Sequence, residues 1–444
     1  MNEYALKYHL MPTHGGWLND PNGLCQYEGR YHIFYQYCKE VDGNGDKCWS
    51  HYTTKDFIHY EDKGVALYSD TEFDKNGAYS GSCLVENGMH FFYTGNVKLP
   101  GNHDYTHSGR LSNTIYVYSK DGIHFTEKEV VLDNTQYPKD LTCHIRDPKV
   151  FKWKDEYFMV LGARNNKDEG CVLVYTSNDL KNWKYMNRIS SKEPFGYMWE
   201  CPDLLKMEED TFLICCPQGI QKEGILYEND NQNGYFKVDG NLAYDYQTLD
   251  YGYDFYAPQS FVDEKGRRIL IAWLGLPDSV PSHPTVMQGW QHCLSLPREL
   301  KVIDHVLYQF PIREIQNLKT NTRNITLSNK ATTFPSKVSH IYVEPENHEF
   351  SIQINNLILS YKNQCFTLTF TCDTTNRSQR NVHVDSINQL DIFMDTSTIE
   401  IFINHGQKTM TSRYYDAYDN LNISSDEVMQ IEYSEMKGFE VSDE

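Results

Sequence analysis

The chain has 444 residues, of which 40% are hydrophobic and 23% charged, and its formal net charge is −20. This acidic balance argues against nucleic acid and anionic membranes as partners, because both are bound through basic surfaces. The length exceeds the roughly 100–200 residues of an average domain and predicts two domains.

The N-terminus and the cysteines bear on the compartment. The first residues, "MNEYALKYHLMPT", contain no apolar run of signal-peptide length, and no segment approaches the ~18 apolar residues of a membrane span. The 12 cysteines form no Cys-x-x-Cys pair and no zinc spacing with histidine, a usage typical of a reducing compartment. We therefore predict a cytoplasmic protein without a membrane partner.

A polar turn followed by an aromatic or apolar strand recurs five times along the chain. The copies are "EGRYHIFYQY" (28–37), "NGMHFFYTG" (87–95), "KDEYFMVLG" (154–162), "EDTFLICCPQG" (209–219) and "KGRRILIAWLG" (265–275). The first three are followed by aspartate turns: "KDFIHY" (55–60), "KDGIHF" (120–125) and "NDLKNW" (178–183). Regularly repeated short strands predict an all-β fold, and five units indicate a five-bladed β-propeller rather than a β-sandwich with accidental similarity.

Acidic residues precede three of the five copies. Asp20 in "WLNDPNG", Asp147 in "IRDPKV" and Glu200 in "WECPDLL" each lie eight to ten residues before the turn of their copy. Asp-Pro-Asn-Gly on its own would indicate only a tight turn. In a propeller, however, the innermost strands face one another around the axis, so we expect the three carboxylates to converge at the mouth of the channel.

Three converging carboxylates are suited to acid–base chemistry. Like charges in a partly dry cleft raise one pKa and leave another group ionised, as glycoside hydrolysis requires. A calcium site is the alternative, although no Asp-x-Asp-x-Asp-Gly loop is present. Aromatic platforms and amides that could bind sugar hydroxyls lie near the motifs: Trp17, Asn19, Gln36, Trp49, Trp199, Trp273 and Trp290. Trp273 and Trp290 could equally be core residues of the fifth unit.

Six motifs in order resemble those of glycoside hydrolase family 32. They are "WLNDPNG", "YSGS", "RDPKV", "ECPDL", "DYGYDFYAPQSF" and "GWQHCLSLPREL". The family contains invertases, levanases, inulinases and sucrose-6-phosphate hydrolases, and the sequence looks most like the bacterial sucrose and sucrose-6-phosphate hydrolases. The resemblance implies a five-bladed propeller with a C-terminal β-sandwich, a retaining β-fructofuranosidase mechanism, and no cofactor or metal.

The same resemblance implies residue roles. Asp20 would be the nucleophile, kept at a low pKa by nearby amide donors, and Glu200 the general acid and then the general base. Asp147 and Arg146 would hold the fructose hydroxyls, although Arg146 could be simply an ion-pair partner of Asp147. The positions that match the fructose pocket are Asn19, Gln36, Trp49, Tyr79 and Ser80, and Trp17 and Trp273 are further candidates for sugar contacts.

The natural substrate stays open between sucrose, sucrose-6-phosphate and fructo-oligosaccharides, and fructosyl transfer is a further alternative. A non-catalytic sugar-binding propeller would be expected to lack the nucleophile or the acid. Phosphate recognition would need a cationic cluster, for which "HDYTHSGR" (103–110), with His103, His107 and Arg110, is a candidate loop. The net charge of −20 disfavours an anionic substrate.

The pattern changes after residue 310. We predict a propeller over 1–310, a linker over 311–325 and a β-sandwich over 326–444. In "LDIFMDTSTIEIFINHGQKTMTSRYY" (390–415), apolar residues alternate in period two, as in half-buried antiparallel strands. This part of the chain contains no catalytic motif and is expected to pack against the propeller, with carbohydrate binding as an alternative role.

Overall fold

The computed structural model describes residues 3–277, 282–345, 349–372 and 374–443. Its helices are two short 3-10 segments, Pro284–Gln288 and Arg313–Leu318. None of the helices in the described ranges has the length and apolar character that a membrane crossing requires. All 12 cysteines are free thiols.

The first part of the chain forms five blades of antiparallel strands. Blade I contains β1 (Gly16–Tyr27), β2 (Arg30–Cys38), β3 (Cys48–Thr54) and β4 (His59–Leu67). Blade II contains β5 (Ala78–Val85), β6 (Met89–Lys98), β7 (Arg110–Ser119) and β8 (Glu129–Leu132). Blade III contains β9 (Leu141–Trp153), β10 (Glu156–Asn165), β11 (Gly170–Ser177) and β12 (Lys184–Ser191).

Two further blades complete the ring. Blade IV contains β13 (Met198–Met207), β14 (Asp210–Gln218), β15 (Gly234–Asp239) and β16 (Leu242–Thr248). Blade V contains β17 (Tyr256–Val262), β18 (Arg268–Leu274), the short β19 (Trp290–Gln291) and β20 (Cys293–Leu294), β21 (Arg298–Ile303) and β22 (Val306–Pro311). Of these, β19 pairs with β1 of blade I. The innermost strands β1, β5, β9, β13 and β17 contact one another in a closed ring, which confirms the five-bladed propeller.

The repeated sequence patterns have defined places in each blade. The five aromatic copies form the second strands, β2, β6, β10, β14 and β18. The aspartate turns connect the third strand to the fourth in blades I to III. In each, the carboxylate of Asp56, Asp121 or Asp179 accepts the backbone N–H groups two and three residues later. The sequence repeat is therefore a repeat of antiparallel strands, and in blades I to III the same aspartate turn joins the third strand to the fourth.

The second part of the chain is a sandwich of two six-stranded sheets. One sheet contains β23 (Lys319–Leu327), β25 (Ser339–Val343), β30 (Leu390–Met394), β31 (Thr398–Ile403), β32 (Lys408–Arg413) and β34 (Met429–Met436). The other contains β24 (Thr332–Phe334), β26 (Phe350–Ile354), β27 (Leu357–Lys362), β28 (Cys365–Phe370), β29 (Gln379–His383) and β33 (Leu421–Ser425). The last strand, β35 (Glu440–Asp443), returns to pair with β4 of blade I.

Alternating residues of β30 and β31 join the two parts of the molecule. Ile392 and Ile401 lie in the sandwich core, whereas Phe393 and Phe402 pack in a cluster shared with propeller residues. The last propeller strand ends at Pro311 and the first sandwich strand begins at Lys319, within the predicted 311–325 linker. The strand alternation thus gives the sandwich one face for its own core and one for the propeller.

Candidate active site

The innermost strand of every blade is bulged near the channel mouth. In each, two residues oppose a single residue of the second strand. The two bulged residues of each innermost strand are consecutive in the chain: Asn19–Asp20, Tyr79–Ser80, Asp147–Pro148, Cys201–Pro202 and Ala257–Pro258. A bulge redirects side chains, and it tolerates proline, which has no N–H for the ladder. Asp147, Cys201 and Ala257 have left-handed φ angles of 64°, 48° and 49°, a strained conformation that recurs at functional sites.

The three acids lie at or next to the bulges, but at different positions within them. Asp20 is the second residue of its bulge, Asp147 is the first residue of its bulge, and Glu200 immediately precedes the bulge of blade IV. The acids are therefore at similar but not equivalent positions of their strands. A signal for this placement was present in the sequence as the recurring X-Pro dipeptide of four inner strands.

A cavity of about 390 Å³ opens at this level. The predicted residues that line it are Trp17, Asn19, Asp20, Gln36, Tyr79, Ser80, Arg146, Asp147, Glu200 and Trp273. The site therefore combines residues from all five blades.

Trp49 lies behind the cavity instead of on its wall. Its side chain is buried among Phe34, Phe91 and Tyr93, and its indole N–H donates a 3.1 Å hydrogen bond to the carbonyl of Tyr79. Its position suits a residue that supports Tyr79. The sequence left open whether Trp290 contacts sugar or belongs to the core of the fifth unit. Its side chain is buried and only 1% exposed, as in a core residue.

The side chains of Ser80, Asn19 and Cys201 lie within hydrogen-bond distance of the Asp20 carboxylate. Ser80 Oγ donates to Oδ2 at 2.5 Å and Asn19 Nδ2 donates to Oδ1 at 3.2 Å. Asn19 also donates to Gln36 Oε1 at 2.6 Å, which fixes the orientation of its amide. Burial nevertheless raises the pKa of Asp20 to about 6, against the lowering effect of Ser80 and with a further rise from the charge of Glu200. The expectation of a low pKa was wrong, because burial outweighs the donors.

Asp147 approaches Asp20 through Cys201. The Sγ atom of Cys201 lies 3.6 Å from Asp20 Oδ2 and 3.7 Å from Asp147 Oδ2, and its single S–H can donate to either; the two oxygens cannot be further apart than the sum of these distances. The backbone N–H of Cys201 also donates to Asp147 Oδ2 at 2.9 Å. Burial raises the pKa of Asp147, Arg146 opposes the rise, and the charges of Glu200 and Asp20 add to it.

Glu200 is held by four donors. Arg146 Nε and Nη2 donate to Oε1 at 2.9 and 2.6 Å, while Gln218 Nε2 and the Tyr256 hydroxyl donate to Oε2 at 2.8 and 2.6 Å. The hydrogen bonds of Arg146 thus go to Glu200 and to His144, and not to Asp147. Because Arg146 places a positive charge among the acids, the arrangement favours acid–base chemistry over cation binding.

Two residues that line the cavity, Tyr256 and Lys47, and one partner of Glu200, Gln218, were not identified as site residues from sequence. Tyr256 and Gln218 lie inside the quoted motifs "DYGYDFYAPQSF" and "CPQG", but nothing in one sequence indicates which motif residue faces an acid. Arg110, which the sequence offered as part of a candidate phosphate-binding loop, also lines the cavity. Of the candidate loop 103–110, Arg110 alone does so, since His107 pairs with Asp104 and His103 contacts Ser108.

Family comparisons cover nearly the whole chain. Residues 9–311 match the family model "Glycosyl hydrolases family 32 N-terminal domain", and residues 309–438 match "Glycosyl hydrolases family 32 C terminal". The chain is 34% identical over 445 residues to a sucrose-6-phosphate hydrolase of Bacillus subtilis (strain 168), covering 94% of this chain and 90% of that protein. It is 36% identical over 439 residues to a sucrose-6-phosphate hydrolase of Vibrio alginolyticus, with 94% and 87% covered.

Solved structures agree in fold along the full length. A sucrose-6-phosphate hydrolase from Lactobacillus gasseri superposes with a TM-score of 0.87 at 29% identity, covering 98% of this chain and 94% of that chain. A mutant Bombyx mori family 32 β-fructofuranosidase in complex with sucrose superposes with a TM-score of 0.88 at 27% identity, covering 100% and 96%. Both similarities include the propeller and the sandwich.

Proposed function

Because this chain belongs to family 32 of the glycosyl hydrolases and is a β-fructofuranosidase for sucrose-type substrates, we propose that it cleaves them by double displacement at Asp20 and Glu200. The observation that supports this division of labour is the shared cavity. Both carboxyls line it with Asp147, each from the innermost strand of a different blade.

In the first step, Asp20 attacks the anomeric carbon of the terminal fructofuranosyl unit. The bond to the glycosidic oxygen breaks, and Glu200 transfers its proton to that oxygen, so that the leaving sugar departs with a hydroxyl group. In the second step, Glu200 takes a proton from water while the water oxygen displaces Asp20 from the same carbon. Two inversions give net retention, and both carboxyls return to their starting states.

The neighbours of the two acids have supporting roles. Ser80 and Asn19 orient Asp20 and leave its attacking oxygen in a defined place. Arg146, Gln218 and Tyr256 do the same for Glu200. Asp147, which lines the same cavity, is suited to bind fructose hydroxyls, with hydrogen bonds that strengthen as positive charge develops on the sugar.

Fructose release from sucrose tests this proposal. We expect the parent protein to liberate fructose from sucrose, and the Asp20→Ala and Glu200→Ala variants to lose at least ~10³-fold in kcat, because each lacks an essential reacting group. Glu127→Ala is the matched control, since Glu127 is an exposed carboxylate of blade II. Near-parental turnover by Asp20→Ala would disprove its role.

Side-by-side assays address the alternatives. Raffinose and a short inulin-type oligosaccharide measure tolerance for longer substrates, and analysis of new oligosaccharides at high sucrose measures fructosyl transfer. A parent protein that binds sucrose without releasing fructose would instead indicate a sugar-binding propeller.

A further inference from the structure

Arg110 is a half-buried cation for which the described residues provide no hydrogen-bond or ion-pair partner. Its side-chain Nε–H is buried and donates to no acceptor in this part of the chain. In the same part of the chain, every other arginine that is buried or half-buried donates at least one guanidinium hydrogen bond. A desolvated charge without a counter-charge is unfavourable. An external anion bound at Arg110 would therefore reduce the free-energy cost of burying its guanidinium.

The surroundings of Arg110 are positive. Burial lowers the pKa of Arg110, and the charge of Arg146 lowers it further although Tyr79 opposes the change. Burial also lowers the pKa of His144 to about 3, with further lowering by Arg146, Arg110 and Arg164. Arg146 is neutralised by Glu200, and Arg164 by Asp168, so Arg110 keeps an uncompensated charge.

Lys47 occupies the equivalent place in the neighbouring blade. Arg110 is the first residue of β7 and Lys47 immediately precedes β3, and both strands are third in their blades. The ammonium of Lys47 donates to the Gly43 carbonyl and lies 5.4 Å from the centroid of the Trp17 ring, and it forms no ion pair within the described ranges. Two cations therefore line the cavity from adjacent blades.

Their place in the blades sets them apart from the reacting acids. Asp20, Asp147 and Glu200 are on innermost strands, next to the propeller axis, whereas third strands lie further from it. A fructosyl unit attacked by Asp20 must sit against the innermost strands. The leaving sugar then extends outward, toward the rim that Arg110 and Lys47 line.

Resting on the proposed function, we propose that Arg110, with Lys47, binds a phosphate group carried by the leaving sugar of the substrate. A guanidinium offers a planar pair of N–H donors that fits phosphate oxygens, and an ammonium adds a point charge. The net charge of −20 does not oppose this, since exposed charges beyond about 8–10 Å are screened at physiological salt. Arg110 is thus a specificity-determining residue, and in the free protein its guanidinium has no counter-charge among the described residues that the phosphate would have to displace.

The test compares sucrose with sucrose-6-phosphate in the parent, Arg110→Met and Arg110→Lys. We expect the parent to prefer sucrose-6-phosphate. Arg110→Met should lower the ratio of kcat/KM for sucrose-6-phosphate to that for sucrose by about 10- to 100-fold, mainly through KM, because a charge-assisted hydrogen bond is lost. Arg110→Lys should keep part of the preference, and Lys47→Met should reduce the ratio less. Arg323→Met is the control, because Arg323 is an exposed arginine of the sandwich.

Inorganic phosphate gives an independent readout on the folded parent. It should inhibit sucrose hydrolysis competitively, and Arg110→Lys should weaken this inhibition. An unchanged substrate ratio in Arg110→Met, or equal losses on both substrates, would overturn the phosphate site while the hydrolase assignment stands. A parent that releases no fructose from either sugar would overturn the proposed function itself.

Discussion

The channel mouth and the contact between propeller and sandwich both bury carboxylates, but they treat them in opposite ways. At the contact, His9 Nδ1 lies 2.9 Å from Asp395 and its Nε2 lies 2.9 Å from Glu400, whose other oxygen accepts from Arg298 at 2.6 Å. Burial alone would raise the pKa of Asp395 and of Glu400, yet these partners bring both below their usual values. At the mouth, the pKa of Asp20 is raised to about 6.

The difference follows from the partners and not from burial. Each carboxylate at the contact meets a cation and is a structural group that favours its charged form. Among the described residues at the mouth, Arg146 is the one arginine that pairs with a member of the three-acid cluster, and it pairs with Glu200. The pKa values of the other two acids, Asp20 and Asp147, are therefore raised toward neutral pH. The channel mouth therefore keeps unfavourable charge interactions that the domain contact has eliminated, as expected where function opposes stability.

The matched pair Glu200 and Glu400 gives the largest expected contrast. Glu200→Gln cannot donate a proton to the glycosidic oxygen, so kcat on sucrose should fall at least ~10³-fold. Glu400→Gln, assayed at a temperature where it is folded, should keep kcat within a few-fold of the parent, because Glu400 lies outside the cavity. Comparable losses of kcat in both variants would remove the distinction between the two regions.

For stability we expect the reverse contrast, with the larger loss at the domain contact. Asp395→Asn removes one of the two carboxylates that flank His9, and we expect the free energy of unfolding at pH 7 to fall by about 3 kcal/mol, the range for breaking one side of a buried pair. Denaturant titration measures this change, and the exposed Glu127→Gln should stay within about 0.5 kcal/mol of the parent. A neutral effect of Asp395→Asn would show that the contact does not depend on its charge pairing.

The sequence predicted one region better than the other for physical reasons. Repeated hairpins and their aspartate turns depend on local residue preferences, so the blades and the acids of the innermost strands could be inferred. The bulge that follows Glu200 depends on pairing with β14, and the burial of Trp49 depends on Phe91 of another blade. The domain contact joins His9 to Asp395 and Glu400 across almost the full chain, and no local pattern indicates such a contact.

Removing the Tyr256 hydroxyl should lower kcat less than the change at Glu200 does. Tyr256→Phe deletes one 2.6 Å donor to Glu200 while keeping the ring, so we expect kcat to fall about 10-fold, in keeping with one hydrogen bond to a charged group. Tyr308→Phe is a suitable control, because Tyr308 belongs to the outermost strand of blade V. An unchanged kcat in Tyr256→Phe would show that Glu200 is positioned by Arg146 and Gln218 alone.

The raised pKa of Asp20 predicts an acid limb in the rate profile. Attack requires the ionised carboxylate, so kcat/KM for sucrose should fall about tenfold per unit as the pH drops below about 6. Initial rates from pH 4 to 8 at constant ionic strength measure the limb. A limb near pH 4 would mean that burial does not govern the nucleophile.

The smallest expected effect is a gain in stability. A carboxyl whose folded pKa of about 6 exceeds its ordinary 3.8 makes the fold less stable as the pH rises between these values. Asp20→Asn lacks this cost, which is about 3 kcal/mol for the two pKa values, but weakens the hydrogen bonds from Ser80 and Asn19; at pH 7 it should be more stable than the parent by a net of about 1 kcal/mol, with the advantage disappearing near pH 4. Thermal melts at both pH values provide the comparison, and destabilisation at pH 7 would contradict it.

The most direct test of the central claim is to trap the sugar on the protein. In Glu200→Gln, Asp20 can still attack a fructofuranosyl substrate that carries an activated leaving group, but the variant lacks the base that speeds hydrolysis of the intermediate. Mass spectrometry of the quenched, digested protein should find one added fructosyl unit on the peptide that contains Asp20. An adduct on Asp147, or no adduct together with fructose released in the inverted configuration, would contradict double displacement at the channel mouth.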